Sequence, residues 1–333
     1  GGQVDVHVAT EVAGRLLAAV AAPMRLGDDE VFVTANIGLA LPEPTDSVPD
    51  DILRRAAAAL SRTKAGGPNR YQVALPEDRA PTGERLKIEA ALRRAFEHRE
   101  LEVHYQPEFD LDTGKVLAAE ALVRWQHPEH GLLSASEFIN IAEDAGLVDR
   151  LGTWVLGEAL DQAVSWGPQG PTIRVNLSAS QLSDDTVVID LRNALAHHNI
   201  DPANLCLEVT ESQLLHDLDE SASMLQRLKN LGVRLAVDDF GTGFSSLTHL
   251  QRLPVDVLKI DKSFIDGIGV DAGDTAIVTS MIKLGASLGL EVVAEGIERQ
   301  DQVDLLLTMG CTRGQGFYLA KPMPADAFRS MLV

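Results

Sequence analysis

Apolar runs of β type alternate with amphipathic helical stretches along most of the chain. The β-type runs cover residues 101–107, 116–123, 172–177, 205–209, 234–237, 257–260, 291–294 and, more weakly, 316–319. Between them, apolar residues recur at helical spacing, for example over residues 136–145, 151–164 and 221–231. This alternation is typical of a parallel sheet covered by helices, and its length of about 230 residues predicts an α/β fold of the (β/α)₈ TIM-like barrel class.

The first 80 residues follow a different pattern, which predicts a separate small α/β domain. We expect helices and strands in alternation over residues 10–22, 31–41, 47–64 and 70–75. The polar stretch 76–83 contains two prolines and suits a linker. An amphipathic helix over residues 84–98 then leads into the barrel. We therefore expect two domains, residues 1–80 and residues 81–333.

The chain is strongly acidic, with 29 Lys and Arg residues against 49 Asp and Glu residues and a net charge of −20. Such a surface repels nucleic-acid backbones and anionic membranes, so we expect no DNA or RNA partner. No apolar run reaches the roughly 18 residues of a membrane span, and no signal-peptide pattern is visible. Cys206 and Cys311 adjoin apolar segments without metal-type spacing, which favours buried thiols in a reducing cytoplasm. We expect a cytoplasmic location, and whether a membrane or sensor segment precedes this chain stays open.

Polar and charged side chains follow five successive predicted strands near the point where each strand ends. They are Asn176, Glu208, the pair Asp238 and Asp239, Lys259 and Glu295. Because the carboxyl ends of parallel barrel strands meet at one mouth, we expect these side chains to converge there. A single acid at such a position often only caps the next helix, but capping does not account for five strand ends in a row. Carboxylate and amide oxygens together predict a site for a hard divalent cation such as Mg²⁺ or Mn²⁺.

Residues 120–125, which read Glu-Ala-Leu-Val-Arg-Trp, resemble the signature of the EAL domain, the cyclic di-GMP phosphodiesterase family. The resemblance extends over about residues 86–333 and is specific because several dispersed motifs occur in the family's order. These motifs are Tyr105-Gln106-Pro107, Asn176-Leu177-Ser178, Leu207-Glu208-Val209-Thr210-Glu211, Asp238-Asp239-Phe240-Gly241-Thr242-Gly243, Lys259-Ile260-Asp261, Ala294-Glu295-Gly296-Ile297-Glu298 and Gly314-Gln315-Gly316. The family's fold implies that one barrel strand runs antiparallel.

The resemblance implies a metal centre that holds two Mg²⁺ or Mn²⁺ ions. The ligands that it assigns are Glu120, Asn176, Glu208, Asp238, Asp239 and Glu295. Two such cations stabilise the attacking and leaving oxygens of an in-line phosphoryl displacement. Lys259 is assigned to the vicinity of the attacking water, where it adds positive charge. The alternative for Lys259 is a surface lysine at the end of a strand.

Two further carboxylates receive supporting roles from the same resemblance. Glu211 is expected to anchor the loop 238–243, and Glu298 to support the metal site; either is alternatively an ordinary carboxylate on a helix face. Asp239 is assigned to the second metal position and to the catalytic and substrate-binding groups as well. The glycines of the loop permit backbone geometry that side chains forbid. The resemblance implies that this loop couples metal binding to formation of a homodimer through the barrel domain.

Substrate contacts are expected on four side chains besides Asp239. Arg124 lies four residues after Glu120, so the two share a strand face, and the guanidinium is placed to hold a phosphate. An ordinary surface arginine is the alternative for Arg124. The resemblance implies that Gln106 contacts a guanine edge and that Gln315 positions substrate or water. Leu122 is a candidate for apolar contact under a base.

Residues 10–75 resemble the C-terminal half of a GGDEF, or diguanylate cyclase, domain. Residues 33–38 are similar to its Val-Ser-Ile-Gly strand, and residues 67–71 to its closing strand. The half that carries the nucleotide and metal sites is missing, and residues 1–5 are at most a remnant of the catalytic turn. We expect no cyclase activity here, and a role in packing, dimerisation or regulation instead.

The expected function is hydrolysis of cyclic di-GMP to linear pGpG. One alternative is a silent receptor that binds cyclic di-GMP through Arg124 and signals by conformation. Such receptors usually lack some metal ligands, whereas the set here is complete. A second alternative is a protein scaffold that merely kept the barrel. The presence of Lys259 and of the pair Asp238 and Asp239 argues against a scaffold.

Overall fold

The computed structural model describes residues 6–21, 24–26, 29–31, 34–42, 49–65, 69–74, 82–214, 217–242 and 247–332. The chain divides into two compact units, Gly1–Lys87 and Ile88–Val333. Three sequence expectations lie outside the described residues: the remnant at residues 1–5, most of the linker 76–83, and Gly243.

The first unit contains short strands and two longer helices. In chain order they are α1 (Val6–Val20), β1 (Met24–Leu26), β2 (Asp29–Val31), β3 (Ile37–Leu39), α2 (Pro49–Ala65) and β4 (Tyr71–Val73). Strands β1 and β2 pair antiparallel, and β3 and β4 pair parallel. The described residues divide the expected strand over residues 31–41 between the end of β2 at Val31 and β3 at Ile37–Leu39. Strand pairing begins at Ile37, and just before it the side chain of Asn36 accepts a hydrogen bond from the Arg70 amide at 3.1 Å.

The second unit contains the strands of a closed barrel. They are β5 (Leu101–Asp110), β6 (Val116–His127), β7 (Gly131–Ser134), β8 (Thr172–Asn176), β9 (Leu205–Thr210), β10 (Arg234–Phe240), β11 (Val257–Ile260), β12 (Glu291–Ala294), β13 (Arg313–Gly314) and β14 (Met323–Pro324). Eight of the described strands close the barrel in the order β5, β13, β12, β11, β10, β9, β8, β6, and β6 returns to β5. Strand β5 runs antiparallel to both of its barrel neighbours, β6 and β13. The predicted barrel class and its one reversed strand are confirmed.

Helices follow the strands and cover the outside of the barrel. In chain order they are α3 (Thr82–His98), α4 (Ala135–Asp144), α5 (Val148–Trp166), α6 (Ala179–Leu182), α7 (Thr186–His198), α8 (Glu211–Leu214), α9 (Leu218–Lys229), α10 (Leu247–Arg252), α11 (Lys262–Gly267), α12 (Ala272–Leu288), α13 (Gln300–Met309) and α14 (Ala325–Arg329). Their apolar faces pack on the strands, as Leu151 and Leu160 of α5 do in one core cluster with Ile173 of β8. Each such side chain stabilises the fold by about 1.5–3 kcal/mol on burial.

The expected last strand over residues 316–319 was wrong, and the strand lies at Arg313–Gly314 instead. The backbone of residues 315–318 forms hydrogen bonds with the loop after β12. The Ile297 amide donates to the Gln315 carbonyl, and the Tyr318 amide donates to the Ile297 carbonyl, both at 3.0 Å. A side chain on Gly316 would lie 2.1 Å from the Ile297 carbonyl oxygen, so this close approach requires glycine. The segment therefore turns across the barrel end and places Gln315 at the mouth.

Small apolar side chains form the floor of the barrel interior. Cys206, Ala236, Val257 and Val293 are buried there together, each two residues before a polar strand-end residue. Both cysteines of the chain, Cys206 and Cys311, are buried and free, as expected. Among the described residues, no helix has both the length and the apolar composition needed to cross a membrane.

Candidate active site

Strand alternation explains why charged side chains point into an otherwise apolar barrel. In β9, Leu207 and Val209 belong to the core cluster that packs beneath the helices, and Glu208 between them faces the opposite way, into the barrel. Parallel pairing aligns Glu208 with Asn176 on the neighbouring strand β8. The expected strand-end residues therefore meet at one mouth, and burial of their apolar neighbours holds them there.

Lys259 lies at the centre of a ring of carboxylates. Its Nζ is 2.7 Å from Glu295, 2.8 Å from Glu208, 3.2 Å from Asp238 and 3.7 Å from Glu120. The side chain is fully buried within β11, so it is not a surface lysine. Burial opposes its charge, but the surrounding carboxylates outweigh burial and raise the pKa of Lys259 well above its ordinary value. One ammonium group thus contacts acids from three strands and from the residue that follows a fourth.

Three carboxylates at the mouth, those of Glu208, Asp239 and Glu295, have a pKa above the ordinary range. Burial raises the pKa of Glu208 to about 8; Lys259 works against this rise, and Glu120 and Asp238 add to it. Burial and the neighbouring Asp238 raise the pKa of Asp239 to about 6. Burial and Asp238 also raise the pKa of Glu295 well above its usual range. The carboxylates therefore carry more negative charge than Lys259 balances, and this excess favours the binding of protons or of added cations.

Asp239 and the residues after it form a tightly held turn. Asp239 has a φ of +53°, which is uncommon for a residue other than glycine. The Gly241 amide donates to Oε2 of Glu211 at 2.7 Å, and Glu211 itself is buried at the start of α8. Gly241 has a φ of +101°, and a side chain there would lie 2.3 Å from Cε of Met281. Glu211 therefore contacts the loop expected from the sequence, and its side chain is not an exposed helix-face carboxylate.

Amide side chains orient Glu120 on the other side of the mouth. The Asn176 amide donates to Oε1 of Glu120 at 3.1 Å. The Gln315 amide donates to Oε2 of Glu120 at 2.5 Å and to Oε1 of Gln106 at 3.1 Å. Gln106 in turn donates to the Ala320 carbonyl at 3.2 Å. These contacts fix the plane of the Glu120 carboxylate and join three strands and the final loop.

A cavity of about 250 Å³ opens at this mouth. Its lining includes Gln106, Glu120, Leu122, Asp238, Lys262, Glu295, Glu298, Gln315 and Phe317. Phe317 and Lys262 were not among the expected site residues. An aromatic side chain directly after Gln315-Gly316 was the available signal for Phe317, which is 57% exposed. The cavity thus combines acids, amides and an apolar edge.

The hydrogen bond that Arg124 donates and the ion pair that Glu298 forms, both expected site residues, go to groups outside the acid ring. Arg124 shares a strand face with Glu120, but the hydrogen bond of its Nη1 goes to the adjacent Val123 carbonyl at 2.8 Å. Burial lowers the pKa of Arg124, against the attraction of Glu120 and other acids nearby. Glu298 forms an ion pair with Lys262 at the exposed rim of the cavity. Both side chains therefore flank the site.

The donor set fits a hard divalent cation. Asp238, Asp239 and Glu295 each offer a carboxylate oxygen, and these oxygens lie within 4.8 Å of one another. Oε1 of Glu208 is buried, and among the described residues it accepts no hydrogen bond. Oxygen donors of this kind suit Mg²⁺ or Mn²⁺ rather than softer metals.

Sequence reasoning missed an ion pair beneath the ring. Nη2 of Arg174 lies 2.6 Å from Oε2 of Glu108, and Nη1 lies 3.5 Å from Oε1 of Glu208. Arg174 is two residues before Asn176, and Glu108 is two residues after Gln106. Because side chains alternate along a strand, this spacing of two was the signal that placed both inside the barrel.

Residues 89–322 match the family model of the EAL domain. The chain is 40% identical over 321 residues to "Bifunctional diguanylate cyclase/cyclic di-GMP phosphodiesterase MucR" of Pseudomonas aeruginosa, a match covering 96% of this chain and 47% of that protein. It is 37% identical over 319 residues to "Cyclic di-GMP phosphodiesterase PdeR" of Escherichia coli, covering 95% of this chain and 48% of that protein. The chain thus spans about half the length of these relatives.

A solved structure with a similar fold is titled "PaMucR Phosphodiesterase, c-di-GMP complex". It matches with a TM-score of 0.71 and 44% sequence identity, covering 73% of this chain and 99% of that chain. The similarity therefore extends across nearly the whole of that structure.

Proposed function

The chain belongs to the EAL domain family, and from this premise we propose that it hydrolyses cyclic di-GMP to linear pGpG with Mg²⁺ or Mn²⁺, two ions per site. The observation that carries the proposal is the ring of Glu120, Glu208, Asp238 and Glu295 around Lys259, with a carboxylate oxygen of Asp239 within 4.8 Å of those of Asp238 and Glu295. The substrate is inferred from the relatives, whose names include cyclic di-GMP phosphodiesterase.

The residues that would hold the cations are Glu120, Asn176, Glu208, Asp238, Asp239 and Glu295. When bound, such cations lower the pKa of water and neutralise the charge that develops on the attacking and leaving oxygens. Lys259 keeps a fixed positive charge at Nζ among these ligands, where it stabilises negative charge on the reacting phosphate. Glu211 holds the turn that carries Asp239 through the Gly241 amide.

The side chains around the cavity would bind and orient the nucleotide. Gln106 and Gln315 present amide groups beside Glu120, and Leu122 offers apolar contact under a base. Arg124 lies on the Glu120 strand face, from which its guanidinium reaches a phosphate by a side-chain rotation. Glu298, paired with Lys262, supports the rim of the cavity.

One assay separates this proposal from the receptor and scaffold alternatives. The protein is incubated with cyclic di-GMP and Mn²⁺, and the products are resolved by chromatography. We expect pGpG from the wild type and none from Glu120→Ala, because that change removes a metal ligand. Binding without product supports the receptor, and absence of binding supports the scaffold. Wild-type turnover by Glu120→Ala at saturating Mn²⁺ refutes the metal-site assignment.

We propose further that residues 1–80 are a partial GGDEF domain without cyclase activity, ahead of an EAL domain over residues 81–333. The match to MucR supports this, because it covers 96% of the chain and so extends upstream of residue 89. Incubation with GTP and Mg²⁺ tests it, and formation of cyclic di-GMP contradicts it.

We also propose a homodimer through the EAL domain, a cytoplasmic location and no nucleic-acid partner. Two free buried thiols suit a reducing compartment, and a net charge of −20 disfavours nucleic acids. Sedimentation of the full chain and of residues 81–333 tests the dimer. A shorter chain that stays monomeric at micromolar concentration contradicts a dimer through this domain.

A further inference from the structure

A chain of ion pairs runs down the barrel interior from the acid ring. Arg174 lies between Glu208 at 3.5 Å and Glu108 at 2.6 Å. Arg313 lies 3.3 Å from the other oxygen of Glu108 and 2.9 Å from Glu291. The alternating charges connect the ring to the opposite end of the barrel.

The upper part of this ion-pair chain is removed from solvent. Arg174 and Glu108 are 1% and 0% exposed in their side chains. Burying two charges costs several kcal/mol per ion, and apolar residues of similar volume usually give at least equal stability. The floor around them is built from small apolar side chains such as Cys206 and Ala236, so an apolar filling is compatible with the location. Stability alone therefore does not explain why charges occupy this position.

Arg174 lies directly beneath the carboxylate of Glu208. Oε2 of Glu208 accepts a hydrogen bond from Lys259 at 2.8 Å. Oε1 lies 3.5 Å from Nη1 of Arg174 in an ion-pair contact without a hydrogen bond, since Nη1 donates its hydrogen bond to Sγ of Cys206 at 3.3 Å. The carboxylate is thus held between one cation at the mouth and one below it. Arg174 uses its other terminal nitrogen for Glu108, so the planar guanidinium bridges two carboxylates. A lysine has a single charged nitrogen and lacks this fork.

We propose that Arg174 is a positioning residue that fixes the carboxylate of Glu208 in the orientation needed for cation binding, with Glu108 as its anchor. The inference rests on the proposed function insofar as Glu208 is a metal ligand. Groups that orient metal ligands usually change metal affinity or activity by about 10- to 100-fold when they are replaced. The expected signature is therefore a loss of cation affinity in a protein that remains folded.

The test uses two kinds of variant of the full chain. Arg174→Lys keeps the positive charge and removes the bridge. The double variant Glu108→Gln, Arg174→Gln removes both charges together, so that no buried charge is left without its partner. The matched control is Lys229→Gln, because Lys229 pairs with Asp256 at 2.5 Å and neither residue belongs to the ion-pair chain. All proteins are stripped of metal and titrated with Mn²⁺ by calorimetry in the absence of substrate.

We expect the Mn²⁺ dissociation constant to rise about 10- to 100-fold in both Arg174 variants and to stay at the wild-type value in the control. At saturating Mn²⁺ we expect the KM for cyclic di-GMP to change less than about twofold, because Arg174 lies below the substrate cavity. Wild-type Mn²⁺ affinity in both Arg174 variants overturns the inference. The inference is also overturned if Arg174→Lys binds Mn²⁺ as the wild type does and the double variant binds it more tightly. In that case Arg174 acts only as a positive charge that repels the cation.

The titration also separates this inference from the proposed function. A wild type that binds Mn²⁺ but forms no pGpG, together with weakened Arg174 variants, supports the positioning role and overturns the phosphodiesterase. If the wild type hydrolyses cyclic di-GMP and the Arg174 variants keep the wild-type Mn²⁺ affinity, the phosphodiesterase is supported and the positioning role is overturned.

Discussion

Replacing Lys259 by methionine removes the cation from the centre of the acid ring and keeps most of the side-chain volume. Four carboxylates lie within 2.7–3.7 Å of the Lys259 ammonium. Without it, Glu120, Glu208, Asp238 and Glu295 repel one another in a mostly buried site, where water screens charge less than at the surface. We therefore expect metal-free Lys259→Met to be less stable than the metal-free wild type.

The structure sets the size of this loss. Removing one partner of a buried ion pair destabilises a protein by about 3–5 kcal/mol. In a domain of this size, 1 kcal/mol shifts the melting temperature by about 2–4 °C, so we expect a decrease of about 6–20 °C. The decrease should be larger at pH 8 than at pH 6, because the raised pKa of Glu208, about 8, lets protons relieve the repulsion at the lower pH. Mn²⁺ should reduce the difference in melting temperature between Lys259→Met and the wild type, since the cation restores positive charge to the ring.

Tryptophan fluorescence provides the assay, because all three tryptophans lie in the unit Ile88–Val333. Melting is followed with a chelator and with Mn²⁺. The matched control is Lys262→Met: Lys262 is half-exposed and pairs with Glu298 at the rim. Such surface pairs contribute about 0–1 kcal/mol, so the control should shift by no more than about 4 °C. The reasoning is refuted if metal-free Lys259→Met at pH 8 loses no more in melting temperature than Lys262→Met does. The Lys259 ammonium would then not be what stabilises the ring.

Three further predictions concern loop, glycine and proton effects. Glu211→Ala should lower turnover by about 10- to 100-fold, with a smaller loss for Glu211→Gln, whose amide oxygen still accepts the loop amide; equal rates for the three proteins contradict the anchoring role. Gly316→Ala should lower the melting temperature because its new methyl group meets backbone at 2.1 Å, whereas Gly157→Ala in α5 meets nothing within 4 Å and should raise stability by about 1 kcal/mol. Mn²⁺ affinity should increase about tenfold or more from pH 6 to pH 8, because Asp239 and Glu208 must lose protons to bind metal and their pKa values are about 6 and about 8; flat calorimetric affinity over this range contradicts those raised pKa values.

Continuous apolar runs bounded by turn residues were sufficient to predict most barrel strands. The predicted runs 257–260 and 291–294 coincide with β11 and β12. Strand β13 escaped prediction because it has only two residues, Arg313–Gly314, too few for a hydrophobic pattern. Its place in the barrel depends on pairing with β5, about 200 residues earlier in the chain, and a local pattern carries no information on such pairing.

Side-chain chemistry at the mouth was predicted better than the charges beneath it. The polar residue at the end of each strand stands out against apolar neighbours, so Asn176 and Glu208 were recognisable. Arg174 did not stand out, because only its spacing of two from Asn176 marked it as facing into the barrel, and an arginine in a short strand is more usual on the outer face. Burial of Lys259 depends on acids that are distant in the sequence, such as Glu208, which is 51 residues away. Such long-range charge compensation is visible only once the barrel is closed.

The reversed direction of β5 determines which part of the polypeptide arrives at the catalytic opening. In the seven other barrel strands the chain enters at the floor, but β5 enters at the mouth, where Leu101 pairs with Trp125 beyond Glu120. The ten residues of β5 span about 33 Å at 3.3 Å per residue. Had β5 run parallel to its neighbours, the segment before Leu101 would reach the barrel at that distance from the opening. Instead, that segment joins the barrel at the end that holds the acid ring, so a displacement of the segment would act next to Glu120 and its neighbours and not on the floor.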